Sequence, residues 1–151
     1  MKVSEIMVHC LESCNLNQSL MHVCEMMKVK NFDAVPVLDS QGVLIGIVTQ
    51  ENVCFAIAEF DKKPSAILIA GIDFEKPVSC LDDEKIEKAL KIMKKKLVKR
   101  LIITSQNGQP VGILSLEQIL SLSGKKKKLQ KSAFSILKSI NIPQPIVLRQ
   151  I

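Results

Sequence analysis

Apolar residues along the chain fall into two helical stripes of the same form. Leu20, Val23, Cys24 and Met27 are spaced i, i+3, i+4, i+7, and so are Ile86, Ala89, Leu90 and Met93. That spacing puts each set on one face of an amphipathic helix. Asn17 and Asp83 stand ahead of the stripes as candidate caps. After each helix comes an apolar run, residues 34–38 or 101–104, and then a polar turn, Asp39-Ser40-Gln41-Gly42 or Ser105-Gln106-Asn107-Gly108. A second apolar run follows each turn, residues 43–48 and 111–114. Two such runs around a glycine predict a hairpin, and Asn107-Gly108 predicts a two-residue turn with positive φ. A further helix begins near Thr49 or Ser115, with Val53, Ile57 and Phe60 on one face in the first case.

The pattern is therefore a repeat. Sliding the chain by 66 residues aligns Gly42 with Gly108, Gly46 with Gly112, Ile47 with Ile113 and Glu51 with Glu117. The same offset places Ser13-Cys14 on Ser79-Cys80 and Met27-Lys28 on Met93-Lys94. A short extended segment near Ser13 or Ser79 opens each copy, which then reads β-α-β-β-α. Lys62-Lys63-Pro64-Ser65 breaks the chain between copies. The expected fold is α+β, a tandem of these units with pseudo-two-fold symmetry, over residues 1–62 and 63–122. Residues 123–151 form a third unit. There Leu129, Ala133, Ile136, Leu137 and Ile140 share a helical face, with Lys131 and Lys138 off it. Pro143 and Pro145 must end that helix, leaving residues 146–151 as an extended arm.

Charge divides the chain in the same place. The net charge is +6 over 151 residues. Residues 1–122 carry 14 Lys/Arg against 15 Asp/Glu, while residues 123–151 carry seven Lys/Arg and no acid. The basic character thus belongs to a tail. Hydrophobic content of 47% excludes a disordered chain. Aromatics at 3%, with no Trp or Tyr, make the core aliphatic and leave little for stacking bases. Five cysteines, an odd number at irregular spacings, predict free thiols in a reducing, cytoplasmic setting. The apolar runs are too short to span a membrane, and residues 1–5 do not open a signal peptide.

With these motifs in place, the doubled unit resembles a pair of cystathionine-β-synthase (CBS) domains, the tandem module that senses adenosine-containing ligands. The resemblance covers roughly residues 1–122. It is carried by Val35-Pro36-Val37 followed by Gly46-Ile47-Val48-Thr49-Gln50-Glu51-Asn52 in the first copy. The second copy has Leu101-Ile102-Ile103 and then Gly112-Ile113-Leu114-Ser115-Leu116-Glu117-Gln118. The family pattern has Asp or Asn at the last position, so Asn52 fits it and Gln118 departs from it.

The resemblance implies a regulatory module that binds AMP, ADP, ATP or S-adenosylmethionine, with no resident cofactor and no catalysis. It implies ligand contacts at Cys14, Ala34, Val35, Pro36, Thr49 and Asn52 in the first copy. In the second it implies Arg100, Leu101, Ile102, Ser115 and Gln118. It also implies a disc-like homodimer. The chemistry is reasonable: a hydroxyl at a strand-to-helix turn, beside unpaired N–H groups, suits a phosphate. A side chain one turn later can hold ribose hydroxyls, and a neutral amide there forfeits the charge-assisted bond of a carboxylate. Thr49 and Ser115 are equally good helix N-caps, so capping alone also accounts for them. Copy two has the nearby cations Lys96, Lys99 and Arg100, which could serve a phosphate held by copy one.

Two further clusters point to structure. His9, Cys10, Cys14, His22 and Cys24 match no zinc spacing and predict buried thiols with surface histidines, with no metal. Lys88, Lys91, Lys94, Lys95 and Lys96, with Glu84 and Glu87, predict a solvated, ion-paired face. A rival to ligand sensing is a platform that binds no nucleotide and offers residues 125–128 and the tail helix to a protein partner, nucleic acid or an anionic membrane. The apolar face of the tail helix instead favours docking on the chain's own body.

Overall fold

The computed structural model describes residues 1–9, 12–122, 124 and 126–141. The expectations for Cys10, Lys125, Pro143, Pro145 and the arm at 146–151 lie outside these. The first copy contains β2 (Cys14–Asn15), α1 (Leu20–Lys30), β3 (Ala34–Leu38), β4 (Leu44–Thr49) and α2 (Gln50–Glu59), preceded by β1 (Val8–His9). The second contains β5 (Ser79–Leu81), α3 (Ile86–Lys96), β6 (Arg100–Thr104), β7 (Pro110–Ser115) and α4 (Leu116–Leu120). The tail forms α5 (Lys127–Ile140).

The repeat extends to individual ladder pairs. In the first copy Ala34 opposes Thr49, Val37 opposes Gly46 and Leu38 opposes Leu44. In the second Arg100 opposes Ser115, Ile103 opposes Gly112 and Thr104 opposes Pro110, the same register 66 residues on. Both hairpins shift register just before the turn. The helices end alike too, with Asn31 and Leu97 both in the left-handed region. Gly46 and Gly112, like Thr49 and Ser115, therefore hold equivalent places.

Strand alternation sorts the side chains into layers. Val35, Val37 and Val48 pack with Leu20, Val23, Met26 and Met27 of α1 and with Val53 and Ala56 of α2. Leu101, Ile103 and Leu114 pack likewise under α3 and α4. The opposite faces meet each other, with Ala34 and Ile47 against Ile102 and Ile113. Ile47 and its repeat equivalent Ile113 thus share one cluster between the copies.

The segments ahead of each copy cross over. Val8 pairs with Ile113 and His9 with Gly112, so β1 joins the second-copy sheet in the order β1-β7-β6-β5. Val3 and Met7 pack in that copy's core. Conversely, Ile67, Ile69 and Ile72 pack in the core of the first copy, and Glu75 bridges Ile47. α5 lies on the second copy, burying Ala133 and Ile136 fully and Leu129, Leu137 and Ile140 in part. Lys131 and Lys138 stay exposed, Lys138 lying 5.7 Å over the Phe134 ring. This is the docked arrangement that the apolar face of the helix favours.

Three local expectations are corrected. Neither Asn17 nor Asp83 caps a helix. α1 starts later, and Ser19 accepts the His22 N–H at 3.2 Å, while Lys85 precedes α3 without a side-chain cap. Asp83 instead accepts from Gln106 Nε2 at 3.1 Å. The turns are not two-residue: Ser105 N–H donates to Gln109 O and Gly108 N–H to Ser105 O, both at 2.9 Å. That is a three-residue loop closing on a left-handed glycine, Gly108 at φ +77° and its counterpart Gly42 at +79°. On α2, Ala56 is buried and Ile57 is half exposed, because the stripe runs Val53, Ala56, Phe60.

Candidate functional site

Each strand-to-helix turn that carries a predicted hydroxyl is a closed capping box. Asn52 N–H donates to Thr49 Oγ1 at 3.3 Å, and Thr49 N–H donates to Asn52 Oδ1 at 2.8 Å. The Thr49 hydroxyl also donates to Asn52 Oδ1, at 2.9 Å, and Thr49 is buried. In the second copy Gln118 N–H donates to Ser115 Oγ at 3.3 Å, and Ser115 N–H to Gln118 Oε1 at 2.6 Å. Gln118 thus fills the reciprocal role of Asn52 despite its greater length. Both hydroxyls cap helices here, and a phosphate at either turn would have to compete with its box.

The strands distribute the remaining predicted residues over two faces. Ala34 and Ile102 face the space between the copies, and Val35 and Leu101 turn into the cores of their own copies. Pro36 is buried opposite Ile47. Cys14 is buried beside Val37. Thr49 and Asn52 stand with Ala34 at one end of the first hairpin, and Ser115 and Gln118 with Arg100 at the matching end of the second.

Arg100 links the two copies. Its Nη2 donates to Asp33 Oδ2 at 2.7 Å, while its Nε is buried without a partner among the described residues. It borders a crevice of about 260 Å3 between the copies. Ile47 and Glu51 come from the first copy, Lys99, Arg100 and Ile102 from the second, and Glu75 and Lys76 from the segment between. Ile140, at the end of α5, closes one side. Of the predicted site residues, the crevice gathers Arg100 and Ile102; Thr49, Asn52, Ser115 and Gln118 do not line it. Glu75 and Lys76 were not legible as site residues, because only the crossing of the intervening segment brings them there, and Glu51, in the first turn of α2, had nothing local to show that it faces the crevice.

The thiols differ in setting: Cys14 and Cys80 are buried, Cys24 is half-buried rather than buried as expected, and Cys54 is exposed. Burial pushes Cys14 and Cys80 up from 9.0 to about 11, and Glu84 adds to the effect at Cys80. His9 and His22 are exposed, and no three His, Cys, Asp or Glu residues group as metal ligands among the described residues. A thiol raised on folding favours the fold while it stays protonated in both states, below its unfolded value, and loses that contribution as pH rises through its folded value. Urea midpoints should therefore fall between pH 9.0 and about 11. They should fall less steeply in Cys14→Ala, and an unchanged slope would remove Cys14 as the cause. Glu84 pairs with Lys88 on the lysine-rich face of α3.

Comparison with known proteins places these features in a family. The family model described as CBS domain matches residues 3–59 and 70–125. The chain is 31% identical over 135 residues to the uncharacterized protein YlbB of Bacillus subtilis, covering 89% of each chain. It spans 40% of one longer curated relative and 24% of another. Its fold matches that of CBS domain protein PAE2072 from Pyrobaculum aerophilum, complexed with AMP, with a TM-score of 0.68 at 14% identity, over 87% of this chain and 99% of that one. It also matches the CBS domain pair of protein MJ0100, in complex with 5′-methylthioadenosine and S-adenosyl-L-methionine. There the TM-score is 0.64 at 22% identity, over 79% of this chain and 96% of that one.

Proposed function

Because the chain belongs to the CBS domain family, we propose that it is a regulatory module that binds an adenosine-containing nucleotide between its two repeats. The observation that carries this reading is Arg100. It stands between the copies with one guanidinium edge on Asp33 and a buried Nε without a partner among the described residues, beside Lys99 and Lys76. A phosphate or carboxylate in the crevice would complete that guanidinium by charge-assisted bonds. The ligands of PAE2072 and MJ0100 support the choice of an adenosine compound. AMP, ADP, ATP and S-adenosylmethionine are the candidates, and the module catalyses no reaction of its own.

The division at 62/63 and 122/123 separates two sensing repeats from a tail. A ligand that spans Ile47 and Ile102 would bias how the repeats sit, which a partner reads through unequal affinity for the two arrangements. Pairing of two copies would cover Phe55 and Ile57 of α2 and Met21 and Val29 of α1, which are exposed. The free thiols suit a reducing, cytoplasmic setting.

The test is a thermal-shift and binding series with adenosine, AMP, ATP and S-adenosylmethionine. A ligand at one hundred times its Kd should stabilise the fold by about 2.7 kcal/mol. Arg100→Gln should weaken AMP by about tenfold or more and leave adenosine nearly unchanged. Thr49→Ala should lower stability by about 1 kcal/mol through the lost cap, and should weaken AMP beyond adenosine only if the box opens for phosphate. Equal losses of AMP and adenosine in Arg100→Gln would put the phosphate elsewhere. The closed boxes at Thr49 and Ser115 favour a second reading, a platform without nucleotide. No stabilisation by any of these compounds at millimolar concentration would select it.

A further inference from the structure

α3 and α5 enclose a groove of about 800 Å3 on the side of the second copy. Lys91 and Lys94 from α3 and Lys126, Lys128 and Lys131 from the tail line it, against a single acid among the lining residues, Glu87. Its floor is apolar, made of Leu90, Leu129 and Ile136. Leu90 and Ile136 are each 5% exposed and Leu129 is half-buried, so most of the apolar floor is recessed below the lysines.

The start of α5 adds to the imbalance. It has no side-chain cap and no acid in its first turn, whereas α2 and α4 have both a capping box and an acid, Glu51 or Glu117. Lysines at the positive end of a helix repel the helix dipole as well as one another. Residues 123–151 contain no acid of their own, and Glu87 alone faces the five lysines that line the groove, so the groove keeps an excess of positive charge that suits an anionic partner.

We propose that this groove docks an acidic amphipathic helix of a partner protein. Carboxylates on one face of such a helix would meet the lysine rim, and apolar side chains at i and i+4 would reach Leu90, Leu129 and Ile136. The recessed floor decides against other anions. A bilayer needs apolar side chains that project from the surface. A polynucleotide would gain nothing from an apolar floor, and no aromatic side chain lines the groove to stack a base. Every cation that lines the groove is a lysine, without the planar fork of Arg that grips a phosphate by two bonds. Residues 142–151 carry Arg149 and no acid, so they offer no side-chain carboxylate to the lysines.

The experiment uses the full chain without nucleotide, and a fluorescent synthetic helix with Glu on one face and Leu at i and i+4 on the other, read by anisotropy. Saturable binding is expected, weakened at least about tenfold by the double change Lys94→Glu and Lys131→Glu. Both side chains are exposed, so the urea midpoint should hold; the Gln versions provide a second variant pair with the same expected direction. Replacing Glu by Gln in the peptide, or Leu by Ala, should each cost about tenfold as well. Absence of binding at millimolar peptide overturns the proposal. So does a peptide in which Leu→Ala is silent, because charge alone then suffices. Duplex DNA, or vesicles of phosphatidylcholine with phosphatidylserine, binding more tightly than the peptide and lost in the same variants would overturn it in favour of those partners.

Discussion

Ile136→Ala should lower the unfolding free energy by about 2–5 kcal/mol, the range for truncating an enclosed aliphatic side chain. Ile136 is 5% exposed and packs with Leu90, Leu116, Ile119 and the rest of the second-copy core. Collapse around the gap is limited, because Gln130 Nε2 donates to the carbonyls of Leu120 and Leu122 and so ties α5 to the end of α4. Leu137→Ala should cost less, since Leu137 is only partly buried. Changing Lys127 and Lys128, both exposed, to Gln should leave stability within about 0.5 kcal/mol, because exposed charges contribute little. Urea unfolding of the three variants measures this directly. A silent Ile136→Ala would mean that the tail helix is not part of the folded body in solution.

Gly112→Ala should cost about 1–3 kcal/mol, the usual range for overpacking, and should loosen the N-terminal segment first. A Cβ at Gly112 would stand 2.7 Å from the Val8 carbonyl oxygen and 2.7 Å from Met7 Sδ. Carbonyl and strand are fixed by the β1–β7 pairing, so the contact is relieved only by moving β1 away. The equivalent change Gly46→Ala meets the Phe74 ring at 2.3 Å and the Glu75 carbonyl at 3.0 Å. It should therefore disturb the segment that crosses the first copy. Gly71→Ala is the control, with nothing within 4 Å of its Cβ. Urea midpoints, together with amide exchange of residues 3–9, should separate the three. Equal stability of Gly112→Ala and Gly71→Ala would contradict the crossing.

How far the site could be read ahead follows from the range of the interactions involved. Leu20 and Ile86 announce their helices because the residues that share a face lie within two turns of each other. Thr49 and Ser115 could be placed at strand-to-helix turns for the same reason, and as caps they act on N–H groups three residues away. Local spacing cannot tell whether such a hydroxyl is closed in a box or open to a ligand. Glu75 and Lys76 had no spacing of their own to mark them, and the repeat of Glu51 as Glu117 did not show which way it faces.

The chain's own order of apolar and polar residues determined the two helix-and-hairpin copies, their matching registers and the amphipathic tail helix. Each of these depends on neighbours a few positions apart, whose contacts cost little loop entropy to form. The tertiary structure alone decided that β1 joins the sheet of the second copy, that Arg100 pairs with Asp33, and that α5 covers α3 and α4 rather than their counterparts. The strand pairing and the ion pair join positions dozens of residues apart, whereas α5 is tied to α4 across ten. The two long-range contacts accompany the burial of Ala34, Ile47, Ile102 and Ile113 between the sheets, whereas α5 docks on the core of the copy that precedes it.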